Sequence, residues 1–289
     1  MITETHFRDT VVEMLRRAET SLPRDVLAAL KRAWKRERDP LARFHYKMMF
    51  KNLELAEKLK VPLCQDTGIF TFFIKLGREL RLTFDITKAL EEAVKTTTRL
   101  VPLRENTVDP ITRKPLPGNT GRGQPAIHIE LAPGRGLQLD LLVKGAGTEN
   151  YGRLFMMRPT GGPEAIEQAV LKTLEEAGGK SCPPNIVGVG VGGSMETAPL
   201  LAKKALLRPL HRANPDAELA KLERRIESAA NGLGTGPMGL GGKTTLLKVL
   251  IERAACHTAS LPVAVALQCW PARRAKAITI DGKLRVVEP

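Results

Sequence analysis

The chain has 289 residues, 43% of them from the set AVILMFWYC, 26% charged and only 4% aromatic, so it can bury a substantial core and is neither fibrous nor disordered in composition. Its longest strongly apolar run, Leu261 to Leu267, is far short of the roughly 20 residues a membrane-spanning helix needs. The formal charge of +14 raises nucleic-acid binding, yet acids are interspersed with the bases and two Trp and two Tyr leave little surface for stacking on nucleobases.

The first sixty or so residues read as helices: Phe7, Val11, Met14, Leu15 and Ala18 fall on one helical face, with new starts at Ser21 to Pro23 and at Asp39-Pro40. The acidic opening has no apolar stretch of the secretory type, which makes a cytoplasmic location the expectation. Pro62 and Gly68 bracket a short loop that feeds a strand over 69–76, with a second strand expected at 81–84 and a helix over 86–100. The stretch 101–125, with five prolines, has little periodicity and reads as a long functional loop. Strands at 126–131 and 137–143, joined across Ala132 to Gly136, suggest a hairpin. A glycine-rich loop at 144–150 follows, then a helix at 163–177, a strand at 185–189 and helices at 195–207 and 216–230. The last quarter opens with a glycine-rich segment, 232–243, and continues with strand-like runs to Ile280. These elements predict an α+β fold, a helical N-terminal layer (about 1–60) packed with mixed sheet-containing regions, with no obvious linker dividing 1–289.

Two glycine motifs resemble phosphate-binding signatures. Gly188 to Gly193 fits GxGxxG between a strand and a helix, but the acid expected about 20 residues on falls between two helices rather than at a strand end. Gly241-Gly-Lys-Thr-Thr245 resembles a phosphate loop, yet the position requiring its first glycine is Pro237. A general anion-binding loop and a tight turn both suit that segment.

The four cysteines, Cys64, Cys182, Cys256 and Cys269, follow no short repeat. Thiolates gathered from distant loops can hold zinc or an iron–sulfur cluster, while each cysteine alone also suits a small buried apolar position.

Five segments together carry a resemblance: Pro62-Leu-Cys-Gln-Asp-Thr-Gly68, Lys144-Gly-Ala-Gly-Thr-Glu-Asn150, Cys182-Pro-Pro-Asn-Ile-Val-Gly-Val-Gly-Val-Gly-Gly193, Gly236-Pro-Met-Gly-Leu-Gly-Gly-Lys-Thr-Thr245 and Cys256-His-Thr-Ala-Ser-Leu-Pro-Val-Ala-Val265. In this order they resemble the alpha subunits of the class I, iron–sulfur fumarate hydratase and L-tartrate dehydratase family, over about residues 10 to 280. The resemblance implies a hydro-lyase with a [4Fe–4S] cluster that has one open iron and is held by Cys64, Cys182 and, of the two candidates near the C-terminus, Cys269, with Cys256 a bystander. It places Asp66 and His257 in an acid–base network and Gln65, Thr67, Arg104 and the backbone at Gly147 against a small dicarboxylate substrate. Read alone, Arg104 also suits a solvated loop and His257 a structural histidine. Trp270-Pro271 departs from the residues that often follow the third cysteine in the family, which bears on substrate fit more than on cluster binding. The resemblance further implies a separate beta subunit that completes the active site, with each type present twice. Fumarate hydration to L-malate is the first expectation, L-tartrate dehydration the alternative, and a basic nucleotide- or nucleic-acid-binding module the reading from another class.

Overall fold

The computed structural model describes residues 2–289. In chain order the regular elements are helices α1 (Glu4–Thr20), α2 (Arg24–Arg36) and α3 (Pro40–Leu59), strand β1 (Ile69–Gly77), α4 (Ile86–Leu100), β2 (Ala126–Ala132), β3 (Leu137–Lys144), the single turn α5 (Ala146–Glu149), β4 (Arg153–Met157), α6 (Gly162–Ala177), β5 (Asn185–Gly193), α7 (Thr197–Ala205), α8 (Ala217–Asn231), β6 (Leu246–Cys256), β7 (Leu261–Gln268), β8 (Arg274–Ile280) and β9 (Lys283–Val287). The expected α+β class and the three N-terminal helices are present, and no helix among the described residues is long and apolar enough to cross a membrane. The chain divides into two compact units, the first made of the stretch up to Pro23, Lys51–Gly145 and Arg273–Pro289, the second of Arg24–Phe50 and Ala146–Ala272.

The first unit is a five-stranded sheet in the order β2-β1-β3-β8-β9 with α1 and α4 on one face. Thr3 caps α1 by accepting from the His6 amide, and Asp85 caps α4 by accepting from the Thr87 and Lys88 amides, so each helix start is satisfied by a short polar side chain. The apolar face read from the sequence, Phe7, Val11, Met14, Leu15 and Ala18, is buried against Phe70, Phe72, Ile74, Leu139 and Ala277.

Two expectations fail in this unit. The strands at 126–132 and 137–144 do not form a hairpin: β1 lies between them, parallel to β2 and antiparallel to β3. The physical reason is that Phe70, Phe72, Phe73 and Ile74 make β1 apolar on both faces, which suits a central strand. The amides of Gly77, Arg78 and Glu79 then take the carbonyls of the 132–136 connection that a hairpin would have turned inward. No strand forms at 81–84 either, because Phe84 packs its ring against Phe7 (centroids 5.3 Å apart) and the next residue caps α4.

The second unit is a four-stranded sheet in the order β4-β7-β5-β6. Strand β4 was not anticipated from the sequence. Helices α6 and α8 cover one face through Val170, Leu174 and Ile226, which meet Val187, Val189, Val249 and Val265. On the other face α7 lies against Gly188 and Gly190, where a β-carbon would stand 2.1 Å from the Ala202 carbonyl oxygen and 2.0 Å from that of Ala198. The GxGxxG-like run is therefore a close-packing surface for a helix.

Candidate active site

The loop between α3 and β1 carries Cys64, Gln65, Asp66 and Thr67. Gln65 is exposed, Cys64 and Asp66 are half-buried and Thr67 is buried. Asp66 is fixed through Oδ1, which accepts from the Gly68 amide at 2.9 Å and from Asn106 Nδ2 at 2.8 Å. Close to its other oxygen runs the backbone of Gly145, where a β-carbon would come within 2.7 Å of Oδ2. A carboxylate so held is directed by the fold rather than swept by solvent.

Thr67 donates its hydroxyl to the Arg104 carbonyl at 2.7 Å and is 1% exposed, which makes it a tether between two loops. Asn119 adds a second bond to that carbonyl (3.2 Å) and accepts from the Asn106 amide at 2.7 Å. The backbone at 104–106 is thereby pinned while the Arg104 side chain is exposed. Asn106 and Asn119 escaped the sequence reading. Their only signal was their place in the proline-rich stretch, whose length alone had suggested function.

Under the same loop lies a buried ion pair, Glu19 to Arg273 (2.7 Å, 0% and 1% exposed), whose guanidinium also donates to the Thr67 carbonyl at 3.1 Å. Burial pushes the Glu19 carboxyl above the ordinary range, with Arg273 opposing the rise. Neither residue was singled out from the sequence.

In the second unit Cys182 follows a 3-10 turn and adopts a left-handed conformation (φ 52°), its amide bonded to the Gly179 carbonyl at 3.0 Å. Glycines from two distant motifs make this turn possible. A β-carbon at Gly147 would stand 2.6 Å from the Lys180 oxygen, and one at Gly239 would stand 2.3 Å from the α-carbon of Gly179. Gly147 acts here by letting α5 close on the cysteine-bearing turn.

Cys269 immediately follows β7 and is buried. The Trp270 amide donates to the Cys182 carbonyl at 3.0 Å. Asn185, 1% exposed, donates from Nδ2 to the carbonyls of Ser181 (3.0 Å) and Gln268 (3.1 Å). It thus ties together the residues that immediately precede the two cysteines, a role the sequence reading missed.

His257 lies elsewhere. It sits in the exposed connection from β6 to β7, with Nδ1 accepting from the Ala259 amide at 3.1 Å. The length of β7 separates that connection from Cys269, about 25 Å at the usual rise of a strand. Within one chain His257 therefore stands at the opposite end of this sheet from Cys269. Cys256, paired in register with Gly193 at the same far end, is exposed and clear of Cys182 and Cys269.

The glycine-rich segment, for which an anion-binding loop and a tight turn were both open, meets an internal carboxylate. Glu37, 2% exposed, accepts from the Lys243 amide at 2.7 Å and from the Arg38 and Asp39 amides at 2.8 and 3.0 Å.

Among the described residues no three His, Cys, Asp or Glu side chains are grouped as a metal-holding set. The structure brings Cys182 and Cys269 to neighbouring backbone positions, and Cys64 belongs to the other unit. Soft thiolates sheltered from bulk water are the donors that iron–sulfur clusters use, and each of the three cysteines taken by itself has that character, being buried or half-buried.

The chain is 44% identical over 281 residues to a protein of Methanocaldococcus jannaschii named "Putative L(+)-tartrate dehydratase subunit alpha", covering 96% of this chain and 99% of that protein. It is 36% identical over 268 residues to the L(+)-tartrate dehydratase subunit alpha of Escherichia coli strain UTI89, covering 92% and 86%. With the K12 strain's protein of the same name it shares 36% identity over 256 residues, covering 88% and 84%. The family described as fumarate hydratase (Fumerase) matches residues 8–278, and the chain belongs to that family.

Proposed function

We propose that the chain is the cluster-bearing alpha subunit of an L-tartrate dehydratase, acting with a separate beta subunit to remove water from L-tartrate and form oxaloacetate. The observation that carries this reading is the near end-to-end similarity to proteins named as L(+)-tartrate dehydratase alpha subunits. It displaces fumarate hydration, the first expectation from the sequence, to second place. Fumarate hydration keeps the support of the family description.

In this reading Cys64, Cys182 and Cys269 hold a [4Fe–4S] cluster. When bound, the open iron supplies a Lewis acid for the leaving hydroxyl. The other work falls to the chain's own groups. Asp66, aimed by Asn106 and the Gly68 amide, is placed to take or give a proton at the neighbouring carbon. Arg104, on a backbone pinned by Thr67 and Asn119, offers a guanidinium fork to the substrate's distal carboxylate, with Gln65 exposed beside Asp66 for a substrate oxygen.

The test is an anaerobic assay of the reconstituted alpha–beta pair with L-tartrate and with L-malate, alongside iron and sulfide quantitation. A large preference for L-tartrate is expected. A preference for malate and fumarate moves the assignment to the second reading. Colourless protein after full reconstitution, without broad absorbance near about 400 nm, removes both.

A further inference from the structure

Glu19, at the end of α1, meets the 63–67 loop at both of its ends. Its main-chain carbonyl accepts from the Leu63 amide at 2.7 Å. Its side chain reaches the other end through Arg273, which binds Glu19 Oε2 at 2.7 Å and the Thr67 carbonyl at 3.1 Å from the same nitrogen. The second guanidinium nitrogen, Nη2, lies alongside Gly68 and Gly145, 3.1 and 3.7 Å from where their β-carbons would be. Cys64, Gln65 and Asp66 are the residues enclosed by these two attachments.

Stability alone does not explain such a pair. Both side chains are almost completely withdrawn from water, and Glu19 Oε1 has no hydrogen-bond partner among the described residues. Desolvating two charges costs several kcal/mol per ion, and apolar residues of similar volume often fold at least as well in such a place. An ion pair does something that an apolar pair cannot, because a guanidinium fixes the direction and the distance of a carbonyl.

We propose that Glu19 and Arg273 are positioning residues that clamp the 63–67 loop and so set the orientation of Asp66 and Gln65 toward the substrate. The proposal rests on the reading of this loop as part of the dehydratase site. Glu19 orients Arg273, and Arg273 holds the Thr67 carbonyl one residue beyond Asp66.

The experiment uses the alpha–beta enzyme and compares wild type with Glu19→Met/Arg273→Met, in which both charges are replaced by apolar chains, and with Arg273→Lys, which keeps the charge but loses the fork. Three quantities are read: melting temperature, deuterium uptake of peptides spanning 61–68, and the steady-state constants for L-tartrate. In the double variant the melting temperature stays close to wild type, while uptake at 61–68 quickens by about tenfold as the local clamp is lost. Turnover falls by about tenfold or more through kcat, as expected when a reacting group is misplaced. Arg273→Lys, which keeps one donor, lies between the two. Unchanged uptake at 61–68 in both variants overturns the proposal, as does a double variant with wild-type kcat. Quickened uptake together with a wild-type enzyme that turns over no dicarboxylate leaves the clamp standing and removes the dehydratase reading instead.

Discussion

The amide of Trp270 donates to the carbonyl of Cys182 across 3.0 Å, so two cysteines 87 positions apart in the numbering end at neighbouring points of one sheet. Cys256 and His257 sit beyond the opposite end of β7, about 25 Å away by strand rise. Cys64→Ser, Cys182→Ser and Cys269→Ser are therefore expected each to lower iron and sulfide content sharply after anaerobic reconstitution, because each removes one of three proposed ligands. Cys256→Ser and His257→Asn are expected to keep the wild-type content. Loss of iron in Cys256→Ser with retention in Cys269→Ser would reverse the choice of third ligand.

Gly147 tests how tightly the Cys182 turn is backed. A β-carbon there would come within 2.6 Å of the Lys180 oxygen, and a carbonyl in a packed turn cannot swing aside as a flexible side chain can. Gly147→Ala is expected to cost about 1–3 kcal/mol in unfolding free energy and to reduce cluster retention. Gly136→Ala is the control, since nothing lies within 4 Å of its added β-carbon. Denaturant titration of the two variants checks the difference. Equal stabilities would mean that the contact at Lys180 relaxes freely.

Much of this architecture was legible in the sequence because local signals and tertiary demands agree there. The amphipathic face of α1, the helix over 86–100 and the apolar run of β1 each specify their own structure. The pairing of β2 with β1 was not legible, since a glycine-containing connection between two strands signals a hairpin whatever strand later intervenes. The cysteine positions were readable from their motifs. Asn106, Asn119, Asn185, Glu19 and Arg273 were not, because each acts through a partner between 4 and 254 positions away and ordinary residue types carry no mark of such a partner. The glycine motifs, which the sequence already set apart from true phosphate signatures, serve packing and internal contacts. Gly188 and Gly190 serve backbone approach by α7, and the amide of Lys243 is taken by Glu37.

Glu252 supplies a test in pH. Burial raises its carboxyl above the ordinary value and nearby Glu223 adds to the rise, with Arg208 opposing it. A carboxyl whose folded value lies above its unfolded one contributes stability below the unfolded value, about 4.3, and that contribution is lost as pH rises through the folded value. Glutamine does not titrate. The melting temperature of Glu252→Gln relative to wild type should therefore shift upward as pH is raised from below that window to neutrality. A difference that is flat in pH, or that shifts downward, would contradict the raised value.

Asn106 tests whether the aim of Asp66 matters for chemistry. Its side chain donates to Asp66 Oδ1 at 2.8 Å, while its main-chain amide is bonded separately to Asn119 at 2.7 Å. Asn106→Ala therefore removes the bond to the carboxylate and leaves the loop's backbone attachment in place. A hydrogen bond to a charged group is worth about 1.5–3 kcal/mol. If most of that is expressed where the proton moves, kcat for the alpha–beta enzyme falls by about 10- to 100-fold. The cluster content should not change, since no cysteine is bonded to Asn106 in the contacts described for it. Steady-state kinetics with iron quantitation on the same preparation separates the two effects. A variant with wild-type kcat would show that Gly68 and the surrounding backbone suffice to direct Asp66.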